Sequence, residues 1–190
     1  VRDVSFHDAI KFLYSNPQES MKILEALTEL SVEYVRNQAI NGIECFQLFE
    51  TYSGLIPEQM YLEKILPLSK KILNEARNYG LPTIFFPKGF GNGLSYITKD
   101  ICDFLSVDWQ MNLKHARKII SSDIGIQGNI DPRILYSSYT DIEVYLSALK
   151  SFGEKNNNWI INLGHGFLPD IDYKKAKFVV EWIKQTNWKR

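Results

Sequence analysis

The sequence predicts an α/β fold, and three observations carry that prediction. Short apolar runs alternate with longer stretches of helical periodicity, the runs are of strand length and rich in Ile, Leu and Phe, and each ends in polar or glycine-bearing residues. Parallel strands need a long crossover connection, which a helix supplies, so this alternation implies a mainly parallel sheet covered by helices.

From residue 6 to 40 apolar residues recur at helical spacing, Leu24, Leu27, Leu30 and Tyr34 among them, and Asn16-Pro17 divides the stretch into two helices. Asn41-Gly42 ends the second with residues that tolerate a left-handed turn, and 43–49 is the first strand. A helix over 62–79 stops at Gly80 and leads to a strand at 82–86. A helix-like stretch at 94–99 precedes a strand at 101–107, and a helix at 112–121 precedes one at 124–128. A helix near 142–152, a strand at 159–163 and an amphipathic helix at 174–185 complete the order. Five strands and six or more helices result, read as a single domain over 1–190, with 154–158 as a polar surface loop.

An open doubly wound sheet and five consecutive strands of a (β/α)8 barrel both fit this pattern. The strand endings favour the barrel. They are Glu50-Thr51-Tyr52, Lys88-Gly89, Asp108-Trp109, Asn129-Ile130-Asp131-Pro132 and Gly164-His165-Gly166. A barrel gathers all such endings into one cleft, whereas an open sheet concentrates them near its topological switch point.

Composition narrows the function classes. A chain of 190 residues, 45% hydrophobic and 13% aromatic, builds a core without metal or disulfide staples, which excludes disorder. Twenty-two basic residues balance 22 acidic ones, so no general field grips nucleic acid or anionic lipid. Cys45 and Cys102 lie in apolar runs, read as buried thiols within strands, and neither stands at metal-ligand spacing. No apolar run reaches the length of a membrane span and no signal peptide opens the chain, which points to the reducing cytoplasm. The opening Val1-Arg2-Asp3-Val4-Ser5 runs straight into a helical pattern, which suggests a fragment.

His165 lies between two glycines at a strand end, where the backbone turns tightly and brings an imidazole close to a ligand; its bland alternative is a bond to a neighbouring carbonyl. His7 and His115 lie in helical stretches with no acidic or thiol partner at useful spacing and read as solvated or helix-packed residues. Thr51 offers a binding hydroxyl or a turn bond, and no Gly-x-Ser-x-Gly elbow marks an acyl nucleophile. The glycines of 88–95 match neither a P-loop nor a dinucleotide fingerprint and read as a mobile lid. Asp108 and Asp131 read as turn or capping residues, Pro132 fitting the first helical position, and the four Trp and ten Tyr read as packing residues.

Taken together, Phe46-Gln47-Leu48-Phe49-Glu50-Thr51-Tyr52-Ser53-Gly54, Val107-Asp108-Trp109, Gln127-Gly128-Asn129-Ile130-Asp131-Pro132 and Asn162-Leu163-Gly164-His165-Gly166 resemble the uroporphyrinogen decarboxylase family, in order and at compatible separations. The resemblance implies a (β/α)8 TIM-barrel carboxy-lyase of haem biosynthesis, a cytoplasmic homodimer that uses no cofactor. Its small-molecule substrate is uroporphyrinogen III, which loses carbon dioxide from four acetate side chains to give coproporphyrinogen III. His165 matches the family's cleft histidine that contacts substrate, and Thr51 matches a position usually held by Ser.

The family's Arg-rich motif, essential cleft Asp and substrate-contacting Tyr belong to strands that precede Val1, so the resemblance implies a barrel incomplete here, with the last five βα units present and the first three strands missing. No catalytic residue is then expected in this chain. Positive charge at its strand ends is expected from Lys88 and His165 alone, and the isolated chain is expected to be inactive and prone to self-association through open strand edges. Two alternatives are weighed. A cobamide methyltransferase of the same superfamily needs zinc ligands that Gln127-Gly128-Asn129 does not offer, and a non-catalytic half-barrel would serve binding or assembly.

Overall fold

A computed structural model describes residues 6–188, so the opening residues 1–5 lie outside the described residues. Two compact units are present, one holding the chain through Leu48 together with Ile56–Thr83, the other Phe49–Leu55 with Ile84 onward.

The first unit is helical. The break at Asn16-Pro17 separates α1 (His7–Ser15) from α2 (Pro17–Ile40), and proline opens α2 where its missing N–H costs nothing. The helix is as the periodicity predicts, but the apolar residues that reveal it are not its buried ones: Leu27, Leu30 and Tyr34 are 53%, 67% and 64% exposed. The buried face carries Ser20, Thr28, Val32 and Val35, and its hydroxyls are satisfied locally, Ser20 by the Phe12 carbonyl (3.2 Å) and Thr28 by that of Leu24 (2.8 Å). The helix predicted over 62–79 begins earlier, as α3 (Glu58–Met60), and passes through a π-helical turn at Tyr61–Ile65 into α4 (Leu66–Asn78). Pro67 explains the widened turn, since its ring removes one donor and crowds the preceding carbonyls. Leu66, Ser69, Leu73 and Ala76 form the buried stripe of α4 at helical spacing. Arg36 on α2 donates to Glu75 on α4 at 2.6 Å, and Lys71 pairs with Glu29.

The five strands are β1 (Phe46–Glu50), β2 (Thr83–Pro87), β3 (Phe104–Ser106), β4 (Gly125–Gln127) and β5 (Trp159–Ile160), in one sheet of order β1-β2-β3-β4-β5. The β2–β3, β3–β4 and β4–β5 pairs are parallel. A doubly wound sheet reverses its strand order at a switch point, whereas consecutive barrel strands do not, so this order decides between the two architectures. The fold is α/β, an incomplete (β/α)8-type barrel of five successive strands.

Two strands are displaced from their predicted places. β1 starts at Phe46 and β3 at Phe104, because Ile101 is drawn into a turn by the Thr98 carbonyl (2.9 Å). Both cysteines therefore lie outside strands, and Cys45 is exposed; only Cys102 is a buried thiol. The fully buried Phe85 and Leu105 show why strands flanked on both faces read as continuous apolar runs.

In the second unit α5 (Leu113–Ile119), α6 (Tyr139–Gly153) and α7 (Tyr173–Gln185) follow β3, β4 and β5. Ser138 caps α6 by accepting from the Asp141 N–H. Ile130, Leu135, Ile142, Leu146, Ile171 and Val179 form one core cluster against which Ile161 and Leu163 pack. Truncating fully buried Leu146 to Ala is expected to cost about 2–5 kcal/mol, whereas Val144→Ala, on the same helix but 66% exposed, is expected to stay within about 0.5 kcal/mol of the parent. Urea unfolding of both variants checks this; equal effects would refute the assignment of the α6 core face.

Candidate functional site

Parallel strands present their C-terminal ends on one side of a sheet, and the second unit ties those ends together through a few polar groups. The Lys88 N–H donates to the Glu50 carbonyl at 3.1 Å, and the Gly54 N–H donates to the Lys88 carbonyl at 3.0 Å. Buried Ser53 bridges the same two carbonyls, its Oγ lying 3.0 Å from Glu50 O and 2.8 Å from Lys88 O. Gly54 approaches Gly89 so closely that a Cβ there would stand 2.7 Å from the Gly89 oxygen.

Asp108, just past β3, is buried with both carboxylate oxygens occupied. Oδ2 accepts from the Gly89 N–H at 2.7 Å and Oδ1 from the Gln110 N–H at 2.9 Å. Its own carbonyl accepts from Asn129 Nδ2 at 2.9 Å, and the same Nδ2 donates to Met111 O at 2.5 Å. From β5, Gly164 closes in on this backbone, where a Cβ would lie 2.4 Å from the Trp109 nitrogen. The ends of β2, β4 and β5 thus all meet at Asp108-Trp109, and the turn-building role expected of Asp108 is the one it has.

Trp109 stands at the centre of this meeting. Lys88 Nζ is 5.4 Å from its ring centroid, the Arg133 guanidinium carbon is 5.8 Å away, and the His165 ring meets it edge to face at 5.7 Å. An indole face carries negative potential and holds cations in place. Arg133 is also bound to Asp131: Nε donates to Oδ1 (2.9 Å) and Oδ2 (3.1 Å), and Nη2 donates to Oδ2 (2.7 Å). Those hydrogen bonds from Arg133 hold the Asp131 carboxyl below the ordinary aspartate range, outweighing the opposing effect of its partial burial. Asp131 also accepts from the Arg133 backbone N–H (2.9 Å), capping a 3-10 turn at Pro132–Tyr136 as its position before Pro132 predicts.

His165 is half-buried, and its Nδ1 lies 3.3 Å from the Gly166 carbonyl. As a hydrogen bond this contact puts the proton on Nδ1 and leaves Nε2 as an acceptor, so the bland role and an open ring nitrogen coexist. Thr51 is half-buried in the turn after β1, and its hydroxyl has no hydrogen-bond partner among the described residues. Lys88, Trp109 and His165 are therefore brought together, with Thr51 in the neighbouring turn on the same strand-end side.

Three residues depart from the sequence reading. Arg133 adds a cation where only Lys88 and His165 were expected; its signal was a basic residue two positions after a capping Asp. Trp109 is a half-buried platform at the strand ends rather than plain packing. His115, set aside as a helix residue, lines a cavity of about 410 Å3 with Pro87, Phe90, Leu94, Asp108 and Met111. The segment read as a lid is wound into a 3-10 helix, Gly91–Tyr96, with Phe90 and Leu94 buried. Among the described residues no cluster of three His, Cys, Asp or Glu side chains stands close enough to hold a metal ion.

The profile of the family "Uroporphyrinogen decarboxylase (URO-D)" matches residues 3–186. A uroporphyrinogen decarboxylase of Francisella tularensis subsp. novicida is 34% identical over 185 residues, covering 96% of this chain and 54% of its own. One from Trichlorobacter lovleyi is 31% identical over 177 residues, covering 93% of this chain and 52% of its own. The chain thus spans about half the length of the curated relatives it matches. Among solved structures, a methyltransferase from Methanosarcina mazei superposes with a TM-score of 0.77 over 90% of this chain and 51% of its own, at 17% identity, a likeness of fold alone.

Two outcomes test the geometry. Gly164→Ala is expected to push β5's end off Asp108-Trp109, lowering the melting temperature and shifting Trp109 emission; unchanged values for both would refute the close approach. Because the folded Asp131 carboxyl titrates below its unfolded value, the Asp131–Arg133 pair stabilises the fold above the ordinary aspartate range, and that contribution is lost as pH falls through the lower folded value. Asp131→Asn is expected to lose stability at neutral pH and to show a shallower acid limb in melts between pH ~5 and ~2; parallel limbs would contradict the pairing.

Proposed function

The chain belongs to the uroporphyrinogen decarboxylase family, and from that premise we propose that it is the five-strand part of a uroporphyrinogen decarboxylase, a carboxy-lyase of haem biosynthesis that converts uroporphyrinogen III to coproporphyrinogen III. The observation that carries the reading is the family match across 3–186, supported by Lys88, Trp109 and His165 converging at the strand ends.

The proposed chemistry needs no cofactor. Protonation of a pyrrole at carbon makes it an electron sink, so the electrons of the breaking C–C bond flow into the ring as carbon dioxide leaves. The resulting exocyclic methylene takes up a proton to become a methyl group and the ring returns its added proton. One carbon dioxide departs and one proton is gained at each of four acetate groups. The protein must hold carboxylates, orient the ring and supply protons. In this chain Thr51 offers a hydroxyl and His165 an imidazole nitrogen for substrate contact, Lys88 a positive charge, and Trp109 a flat surface beside them. The family's cleft Asp, arginine cluster and tyrosine are assigned to polypeptide outside this chain. A cytoplasmic homodimer belongs to the same reading. Among the described residues no helix is long and apolar enough to cross a membrane, and the balanced charge gives nucleic acid no general field.

The test is anaerobic turnover of uroporphyrinogen III by the naturally made polypeptide that contains this chain, with products separated by chromatography. His165→Ala is expected to lower kcat/KM about 10–100-fold, the loss that follows removal of one hydrogen bond to a charged group. Thr51→Val is expected to raise KM while Thr51→Ser retains it. Absence of coproporphyrinogen would sink the enzyme in favour of a non-catalytic binding module, and full activity in both His165→Ala and Thr51→Val would remove these residues from the site.

A further inference from the structure

We infer that Arg133 is a further specificity-determining residue, a preorganised clamp for a carboxylate of a flat, carboxylate-bearing aromatic ligand seated beside Trp109. The inference rests on the decarboxylase reading for the identity of the natural ligand. Its geometry stands on this chain alone.

A guanidinium carries five N–H donors in a plane and can grip a carboxylate along two edges. Asp131 takes the side edge, through Nε and Nη2. The end edge, formed by Nη1 and the outer hydrogen of Nη2, has no acceptor among the described residues. Asp131 on one side and the Trp109 ring at 5.8 Å hold the group in place, yet the Arg133 side chain is 64% exposed. An exposed arginine ordinarily loses rotamer freedom on gripping a ligand, and one already tethered loses less.

The surroundings select the ligand's chemistry. Both oxygens of Asp108 are occupied by backbone N–H groups and both of Asp131 by Arg133, so neither carboxylate is left to attract a cation. Lys88 has no carboxylate partner among the described residues and shares the same indole. A ligand that lays an aromatic face near Trp109 and reaches outward with two or more carboxylates can thus meet Arg133 at its end edge and Lys88 beside the ring. A polycarboxylated tetrapyrrole is such a molecule, and a neutral aromatic is not.

Benzene-1,2,4,5-tetracarboxylate is the probe, titrated into the naturally made polypeptide that contains this chain by calorimetry and by the Arg133 Nε–H and Trp109 indole N–H signals in NMR, with the corresponding tetra-amide as the neutral control. The parent is expected to bind the tetracarboxylate, moving both signals, and to ignore the amide. Arg133→Ala is expected to weaken binding about tenfold or more, and Arg133→Lys to recover only part of that loss, because a point charge lacks the fork. Should Arg133→Ala fold poorly, Arg133→Lys and the parent's own Nε–H signal decide the matter. Parent-like affinity in Arg133→Lys together with an unmoved Nε–H, or no tetracarboxylate binding by the parent, would overturn the clamp. Neither result bears on turnover: active enzyme with indifferent Arg133 variants sinks only this inference, whereas an intact clamp without turnover sinks only the decarboxylase reading.

Discussion

The site depends on the close approach of strand ends to the Asp108-Trp109 backbone. Peptide groups can meet at that distance only if no side chain intervenes and if their polar atoms are satisfied. Gly164 meets the first condition by having no Cβ to strike the Trp109 nitrogen. The Asp108 carboxylate and the Asn129 amide meet the second, joining β2 and β4 to the same two residues. The named strands are only two to five residues long, but the ladder continues beyond them: Ile130 N–H donates to Asn162 O and Gly164 N–H to Ile130 O. Main-chain pairing therefore reaches Gly164, next to His165, while bonds to the Asp108 carboxylate and carbonyl fix the turn that carries Trp109.

Charge follows from the same arrangement. A carboxylate drawn wholly or partly out of water needs donors, and at these strand ends they are main-chain N–H groups for buried Asp108 and the Arg133 side chain for half-buried Asp131. Once so occupied, the acids serve structure. What remains open to solvent is a lysine, one edge of a guanidinium and an imidazole around a single indole. A chain with no net charge thereby presents a local surface suited to anions, which overall composition does not reveal.

The fold class was legible because helix and strand periods differ, and the strand-end motifs were legible because glycine, aspartate and histidine at such positions have few common uses. The turn role of Asp108 and the capping role of Asp131 were legible because each rests on a bond spanning two residues, whereas the second Asp108 bond, to the Gly89 N–H 19 positions earlier, left no local signal. What periodicity could not supply was depth. In α2 the apolar Leu27, Leu30 and Tyr34 mark a helix correctly yet lie outside, while Ser20 and Thr28 lie inside with their hydroxyls satisfied, Ser20 by the Phe12 carbonyl of α1 and Thr28 by the Leu24 carbonyl of its own helix. Cys45 misled in the same way, since an apolar run can begin before its strand does. Arg133 was missed for another reason: its spacing from Asp131 signals a local pair, but its place beside Trp109, 24 positions earlier in the chain, arises only once β3 and β4 pair.

The two hydroxyls after β1 show how structure separates binding from building where spacing cannot. Thr51 and Ser53 are two residues apart and both could face a cleft. Ser53 is buried and committed, its Oγ shared between the carbonyls of Glu50 and Lys88, so removing it would loosen the seam between two strand ends. Thr51 is half-buried with an uncommitted hydroxyl. A group that already holds the backbone cannot turn to a ligand without breaking what it holds, whereas an uncommitted one can. The free hydroxyl is thus the one available for recognition, and it is held in reach by its neighbour's bonds. The same division runs through these strand ends: Asp108, Asp131 and Gly164 are committed to holding the local structure, whereas the neighbouring side chains of Trp109, Arg133 and His165 stay partly or largely exposed. Each of these side chains stands one or two positions from a residue that fixes the local structure, so its placement is inherited from main-chain geometry.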